Sequence, residues 1–492
     1  MATMATRTVQ PRTKTYEQND TLTNMMIKGD SKADAAIVKA TQKLKDIYKH
    51  ENPKSKEAYD TAVKNGIAGG TNRSSVYWKP FPVTWAGGED VYATTVDGKT
   101  VVDFLGNWTA GLFGFSPKEV KDAVVECMEN GHALGGANNK YEAIVAKEIS
   151  SRFHTSIEEL KFAMTGTEAN TYAINTARAV SGKQKVMMYH GSYHGGYIHG
   201  ASNVDMEMEI PYDKILVDCG DLDTILKAIE DNANELACFI LEPVLINPFM
   251  YIKRVAPKEY LQAIRDQCTK FDVCLIFDEV MTSRLSPGGA QDLVGVYPDM
   301  TTMGKYLGGG FPFACFGGKK RWMARHNPNH KKSIASGGTF NQNALSMAAA
   351  AAVVTKIWTS ENCLKHNQRG EWFKEQINSL SKKYGSPVHA VGTGRLISLV
   401  WQNQNVIDGN GQLNQVIHPA VFHMPTLFWY YMFVEKNILA GSPKLNYLTL
   451  PMYLKDEHYA QFLDGMEDFF KTYSTEMKLL IQETGTSQRS HL

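Results

Sequence analysis

One amine stands out for chemistry: Lys305, within Thr301-Thr302-Met303-Gly304-Lys305-Tyr306-Leu307-Gly308-Gly309-Gly310. Six glycines fall between Gly304 and Gly318, interleaved with Phe311, Pro312, Phe313 and Phe316. Among small and apolar residues an ammonium is disfavoured, so the lysine pKa falls and the amine becomes a nucleophile. Such a lysine can form a Schiff base with a carbonyl or with pyridoxal phosphate (PLP). Alone, a Gly-Lys pair reads first as a turn with a solvated charge. The company upstream is what points to chemistry.

Upstream, short motifs sit where strands end. In Met164-Thr165-Gly166-Thr167-Glu168-Ala169-Asn170 a strand turns into a helix. The first N–H groups and positive dipole end of a helix suit a phosphate, although in isolation a plain cap by Thr165 or Thr167 comes first. In Tyr189-His190-Gly191-Ser192-Tyr193-His194-Gly195 the glycines deny the helix that would bring two histidines onto one face for a metal. Tyr193 is either a ring laid on a planar cofactor or a core-filling tyrosine. In Ile276-Phe277-Asp278-Glu279-Val280 an acid follows directly on an apolar strand, where Asp278 would keep a pyridine nitrogen protonated. A magnesium-binding Asp-Glu pair is the alternative, but no Gly-x-x-x-x-Gly-Lys-Ser/Thr loop precedes it. Glu242, before Pro243, is a further acid at the same edge.

These motifs need a frame. Apolar, β-rich runs at 161–164, 186–189, 238–241 and 273–277, with an apolar patch at 313–316, alternate with helical stretches at 168–180, 222–230 and 257–270. That alternation predicts an α/β fold: a largely parallel sheet, helices on both faces, ligands at the carboxyl ends of the strands. Before it come helical spacing over 30–64 and a polar loop over 69–75. A hairpin joins Val91–Val96 to Val101–Phe104 by a two-residue Asp97-Gly98 turn, and a helix spans 117–130. After it come helices over 344–358 and 361–383, strands within 388–401 and a final helix over 456–483. Phe428-Trp429-Tyr430-Tyr431 reads as helical core packing. Residues 1 to about 30 read as a loose arm, and the tail from Gly485 as frayed.

With 492 residues, 43% of them hydrophobic and 21% charged, the chain has the make-up of an ordinary soluble globular protein of two or three domains. A net charge of +1 gives no reason to expect nucleic acid or an anionic membrane as partner. No apolar run approaches a membrane span, and the polar start has no signal-peptide core. Arg7 and Arg12 leave a mitochondrial presequence open, against which Glu17 and Asp20 argue. The seven cysteines are scattered, without a Cys-x-x-Cys pair. Neither a zinc site nor a disulfide framework is implied, and a cytoplasmic location is the default.

Taken together, Thr165-Gly166-Thr167-Glu168-Ala169-Asn170, Tyr193-His194-Gly195, Glu242-Pro243, Asp278-Glu279-Val280, Lys305 and Gly337-Gly338-Thr339-Phe340-Asn341 resemble, in order and spacing, the class III PLP-dependent aminotransferases. The likeness spans about residues 67–460 and is to the branch of glutamate-1-semialdehyde aminomutase and the β-amino acid aminotransferases. It implies fold type I, with a mostly parallel seven-stranded sheet in the large domain and a small α+β domain from both termini. The boundaries expected are 1–66 for an arm and helices, 67–112 for the first part of the small domain, 113–345 for the PLP-binding domain and 346–492 for the rest of the small domain. A homodimer with each active site at the subunit interface is implied as well.

Carried over to this chain, the resemblance makes Lys305 the Schiff-base lysine and Asp278 the partner of the pyridine nitrogen. Val280 packs on one ring face and Tyr193 on the other. Thr165, Gly166 and Thr167 belong to the phosphate cradle, Thr339 reaches the phosphate from the second subunit, and Glu242 lies on the cofactor's O3′ side. His194 receives no chemical role, and no metal is implied.

The implied activity moves an amino group from a β-amino acid or related amine to a keto acid, with Lys305 carrying the proton between carbons. Arg73 matches a loop arginine that grips a substrate carboxylate in the β-amino acid enzymes, and reads equally as a solvated arginine. Trp78 and Trp108 flank that loop and the hairpin's end as pocket walls, whereas Arg395 opens a strand and reads as structural. Gly441-Ser442-Pro443-Lys444 stands where relatives often carry a 2-oxoglutarate-binding arginine, which counts against a dicarboxylate acceptor. The alternatives are a 2,1-aminomutase of the glutamate-1-semialdehyde type and a non-catalytic scaffold. The scaffold predicts a damaged set, yet Lys305, Asp278 and Thr339 are all present.

Overall fold

The computed structural model describes residues 14–15, 31–199, 208–245, 254–401, 420–443 and 447–484. At its centre stands a sheet of eight strands, in the spatial order Lys14–Thr15, Lys214–Val217, Lys185–Tyr189, Leu236–Leu241, Cys274–Asp278, Met300–Gly304, Ala314–Gly318 and Glu159–Ala163. Ala314–Gly318 runs antiparallel to both its neighbours, and every other adjacent pair is parallel. Seven of these strands are the expected sheet. The eighth corrects the reading of the arm as wholly loose, because Lys14 and Thr15 pair with Ile215 and Leu216. The rest of the arm and the tail from Gly485 lie outside the described residues.

Leu236–Leu241, Cys274–Asp278 and Met300–Gly304 are buried at every position. Helices cover both faces, so these strands carry unbroken apolar runs instead of an alternation. Within Cys274–Asp278, Leu275 and Phe277 enter the apolar cluster on one face while Cys274 and Ile276 enter the cluster on the other. The helix Gly166–Ser181 starts on a reciprocal pair: Thr165 Oγ1 accepts the Glu168 N–H at 3.1 Å, and the Glu168 carboxylate accepts the Met164 N–H at 2.7 Å. It stops at Gly182, whose φ of 74° is the left-handed end a glycine permits.

A separate apolar cluster is assembled from both ends of the chain. It joins Ile37, Leu44 and Tyr48 of helix Lys32–Glu51 to Val102 and Phe104, to Phe428, Trp429 and Phe433 of helix Ala420–Lys436, and to Phe462 and Phe469 of helix Asp456–Thr472. The aromatic run at 428–431 is therefore buried core. Thr100–Asp103 pairs antiparallel with Tyr92–Thr95 and parallel with Ile438–Leu439, which ties the early hairpin to the late chain.

Three local expectations change. The hairpin connection is longer than two residues, since the Thr95 N–H donates to the Lys99 carbonyl at 2.9 Å and Gly98 alone supplies a positive φ there. Helix Ala344–Ala352 widens into a π-helical segment, Val353–Ile357, and the last helix breaks at Tyr473 into Asp456–Thr472 and Ser474–Thr484. Arg395 is 2% exposed and donates to the carbonyls of His366 at 2.6 Å and Leu450 at 3.3 Å, a structural clasp. No helix among the described residues is long and apolar enough to cross a membrane, and no group of three or more His, Cys, Asp or Glu among them is placed to hold a metal.

Candidate active site

Asp278 ends a fully buried strand and is only 4% exposed, so its carboxylate survives only if the protein replaces the lost water. It does. Oδ2 accepts from Asn170 Nδ2 at 2.8 Å and lies 2.8 Å from His194 Nδ1, while Oδ1 accepts the Val280 N–H at 3.1 Å. Burial pushes this carboxyl up, but the imidazole of His194, the Val280 N–H and the Asn170 amide together hold it below the ordinary carboxylate value. Asn170 is itself fixed, donating to the His194 carbonyl at 2.9 Å and accepting from Thr302 Oγ1 at 2.6 Å. Thr302 is the register partner of Asp278 on the next strand. Asn170, His194 and Thr302 were not among the residues expected to form a site. The signal for Asn170 and His194 was present in the motifs, but only tertiary pairing brings Thr302 to them.

Glu279 faces the other way. Its oxygens accept the N–H groups of Ala290 at 2.7 Å and Gln291 at 3.0 Å, the Gln291 side chain at 3.0 Å and Thr282 Oγ1 at 3.0 Å. Burial pushes its carboxyl up to about 7. With these lone pairs committed to the protein, an Asp278–Glu279 magnesium site has no donor set.

Around Asp278 the backbone is shaped for close approach. A Cβ on Gly166 would stand 2.8 Å from Val280 Cγ1, so the helix N-terminus sits directly against Val280. Gly195, at φ +125°, leaves the space that Thr167 fills: a Cβ there would meet Thr167 Cγ2 at 2.3 Å. Gly166 and Thr167 open the helix Gly166–Ser181, where N–H groups have no intrahelical partner. Thr165 spends its hydroxyl on the Glu168 N–H, which makes it the cap.

Lys305 leaves the strand Met300–Gly304 three residues beyond Thr302, half-buried, at a φ of 53° that a non-glycine residue rarely takes. It opens a single 3₁₀ turn, Lys305–Gly308. Tyr193 is 47% exposed. Burial raises its phenol above the ordinary value, with the charge of Arg73 pulling it down and that of Asp278 pushing it up. Arg73 is exposed, as is Thr339. The loop carrying Thr339 passes Glu168 of the same chain: a Cβ on Gly338 would lie 3.5 Å from Glu168 Oε1.

Glu242 is 4% exposed and directly follows the strand Leu236–Leu241. Trp78 is half-buried, donates to the Tyr48 hydroxyl at 3.1 Å and packs on Trp429 with ring centroids 5.2 Å apart. Trp108 lies in a run of four left-handed residues, Gly106, Asn107, Trp108 and Thr109, at φ 57°, 46°, 55° and 75°. For residues other than glycine that conformation costs roughly 1–2 kcal/mol each. Lys444 of the 441–444 segment lies outside the described residues.

The donor set fits pyridoxal phosphate. Helix-start N–H groups suit the phosphate, an ionised buried acid suits a protonated ring nitrogen, and an amine just past the end of the neighbouring strand suits the aldehyde. Comparison with known proteins agrees. The Aminotransferase class-III family profile matches residues 74–470. The β-phenylalanine transaminase of Variovorax paradoxus is 32% identical over 433 residues, covering 87% of this chain and 96% of that one. A solved structure of a β-phenylalanine aminotransferase from Variovorax paradoxus superposes with a TM-score of 0.82 at 30% identity, over 89% of this chain and 98% of that one. A glutamate-1-semialdehyde 2,1-aminomutase of Methanocaldococcus jannaschii is 30% identical over 434 residues, 85% of this chain and 98% of the relative.

Proposed function

This chain belongs to the class-III aminotransferases, PLP-dependent transaminases, and from that premise we propose that it moves an amino group from a β-amino acid to a keto acid, with Lys305 as the reactive amine. The observation that carries the donor class is the 32% identity to a β-phenylalanine transaminase over 87% of this chain, beside an exposed Arg73 in the polar loop before the early hairpin. An exposed guanidinium can give a substrate carboxylate two parallel hydrogen bonds.

Pyridoxal phosphate supplies an aldehyde that takes up the donor's nitrogen and a ring that spreads the electrons left on its carbon. The residues of the chain do the rest. Gly166 and Thr167 offer N–H groups to the phosphate, and Thr339 of a second copy adds a hydroxyl in a homodimer. Asp278, kept ionised by His194 and Asn170, would hold a proton on the ring nitrogen. Val280 would pack one face of the ring and Tyr193 the other, with Glu242 toward its hydroxyl. The Lys305 Nζ would take the proton from the donor carbon and return it to the cofactor carbon that had carried the aldehyde oxygen. Arg73 clamps the donor carboxylate, with Trp78 and Trp108 as walls. A cytoplasmic location accords with seven buried cysteines, none of them in a disulfide.

The likeness to the aminomutase of Methanocaldococcus jannaschii supports a second reading, in which the amino group returns to the same carbon skeleton. Single-turnover assays separate the two. On the aminotransferase reading, β-amino acid bleaches the cofactor band, and only an added keto acid restores it, with the amino group recovered on that acid. Isomerised product without any added acceptor would reverse the assignment.

A further inference from the structure

Arg284 is 1% exposed and lies six residues beyond Asp278, in the short turn Thr282–Arg284. A buried guanidinium needs partners, and its own are unusual. Nη2 donates to the carbonyl of Thr109, and the guanidinium carbon stands 4.8 Å from the centroid of the Tyr306 ring. Nε and Nη1 have no acceptor. The groups that bear on its charge are Tyr306, Tyr447, Arg395 and Cys363, with no carboxylate among them. Its backbone carbonyl is pinned by Asn367 Nδ2 at 2.8 Å and Cys363 Sγ at 3.3 Å, so the side chain projects from a fixed base.

The two elements it touches are both strained. Thr109 ends the left-handed run from Gly106, and a β-branched residue at φ 75° is a rare conformer. At the other end of that run the Asp103 carboxylate accepts the N–H groups of Leu105 at 2.7 Å and Gly106 at 3.0 Å. Tyr306 follows Lys305, itself left-handed at a φ of 53°. Strained backbone persists only where its surroundings over-determine it, and Arg284 is the side chain common to both segments.

We propose that Arg284 is a positioning residue, which fixes the Gly106–Thr109 turn to the Lys305–Tyr306 turn and so sets the place of the Trp108 wall relative to the reactive amine. The inference rests on the reading of Lys305 as that amine. A planar cation suits both contacts, because its edge donates to a carbonyl while its face lies over an aromatic ring. A lysine can reach one partner but cannot serve both in that geometry.

The test uses holoenzyme and compares wild type with Arg284→Lys and Arg284→Met. Amide hydrogen exchange should quicken on the order of ten-fold in both variants, together, in peptides covering 105–112 and 303–309, with the remainder of the sheet unchanged. Kinetics should show a raised KM for the carboxylate donor along with a lowered kcat. Exchange that rises in one segment alone, or evenly over the chain, overturns the proposal, as does an unchanged KM and kcat in the soluble fraction. If Arg284→Met does not fold, Arg284→Lys carries the same readouts. Borohydride labelling of the wild type tests the Lys305 reading separately, because a label elsewhere sinks that reading while the exchange coupling still reports on Arg284.

Discussion

His194 Nδ1 lies 2.8 Å from Asp278 Oδ2, and both side chains are almost wholly out of solvent. Asn170 closes the arrangement by donating to that oxygen and to the backbone carbonyl of His194. The imidazole, with the Val280 N–H and the Asn170 amide, lets a buried acid stay charged. Replacing it by alanine leaves Asp278 with Asn170 and the Val280 N–H, and a lost hydrogen bond to a charged group costs about 1.5–3 kcal/mol. His194→Ala should therefore weaken cofactor binding about 10- to 150-fold, read by titration of the apoenzyme with pyridoxal phosphate. Unchanged affinity would mean that the imidazole does not support the acid.

Gly166 and Val280 make a second, steric pair. Since a Cβ on Gly166 would stand 2.8 Å from Val280 Cγ1, Gly166→Ala should push the helix start away from the strand end and lower cofactor affinity. Val280→Ala removes the obstructing methyl groups. The double variant should recover part of the loss, giving a coupling of about 0.5–3 kcal/mol in a double-mutant cycle. Additive effects would contradict the contact.

Arg73 is exposed, in the polar loop before the early hairpin. If it grips a carboxylate, Arg73→Ala should raise KM for β-amino acids by about 10- to 150-fold, equivalent to about 1.5–3 kcal/mol. Simple amines, which carry no carboxylate, should be turned over as before. Equal losses on both donor classes would assign Arg73 to the fold and not to the substrate.

Much of this was legible before any coordinates. The strand run ending at Asp278 and the helix opening at Gly166 announced themselves, the first because burial on both faces of a parallel sheet demands unbroken apolar residues. Glycines around Lys305 and Tyr193 marked where the backbone must approach closely. Other features stayed hidden because they depend on distant segments. Thr302 meets Asn170 across 132 positions, and Arg284 meets Thr109 across 175, and nothing local in either stretch encodes the meeting. Nor did composition reveal the Gly106–Thr109 turn, since Asn107, Trp108 and Thr109 are held there against their own preferences. The paired strand Lys14–Thr15 escaped notice because two residues are too few to show an alternation.

Acid should expose a buried histidine. His326 is 6% exposed, and burial, with Lys161 and Arg325 adding to it, brings its imidazole down to about 4. The unfolded chain takes up that proton near the ordinary value of about 6.5. The unfolded state thus binds more protons between about 6.5 and 4, and stability falls as pH falls through that window. Asp103 and Glu279, pushed up to about 6 and about 7, act in the opposite sense, so the reading must come from a difference. Wild type should lose about 2 kcal/mol more than His326→Asn between pH 7.5 and 5, measured by denaturant unfolding. Parallel curves would contradict a neutral, buried His326.

The central claim is a covalent bond to one nitrogen. Holoenzyme reduced with borohydride, digested and mapped by mass spectrometry should carry the reduced cofactor on the peptide containing Lys305, and Lys305→Ala should bind pyridoxal phosphate without being labelled. A label on any other lysine, or an unlabelled Lys305 in protein that retains the cofactor band, would contradict the account.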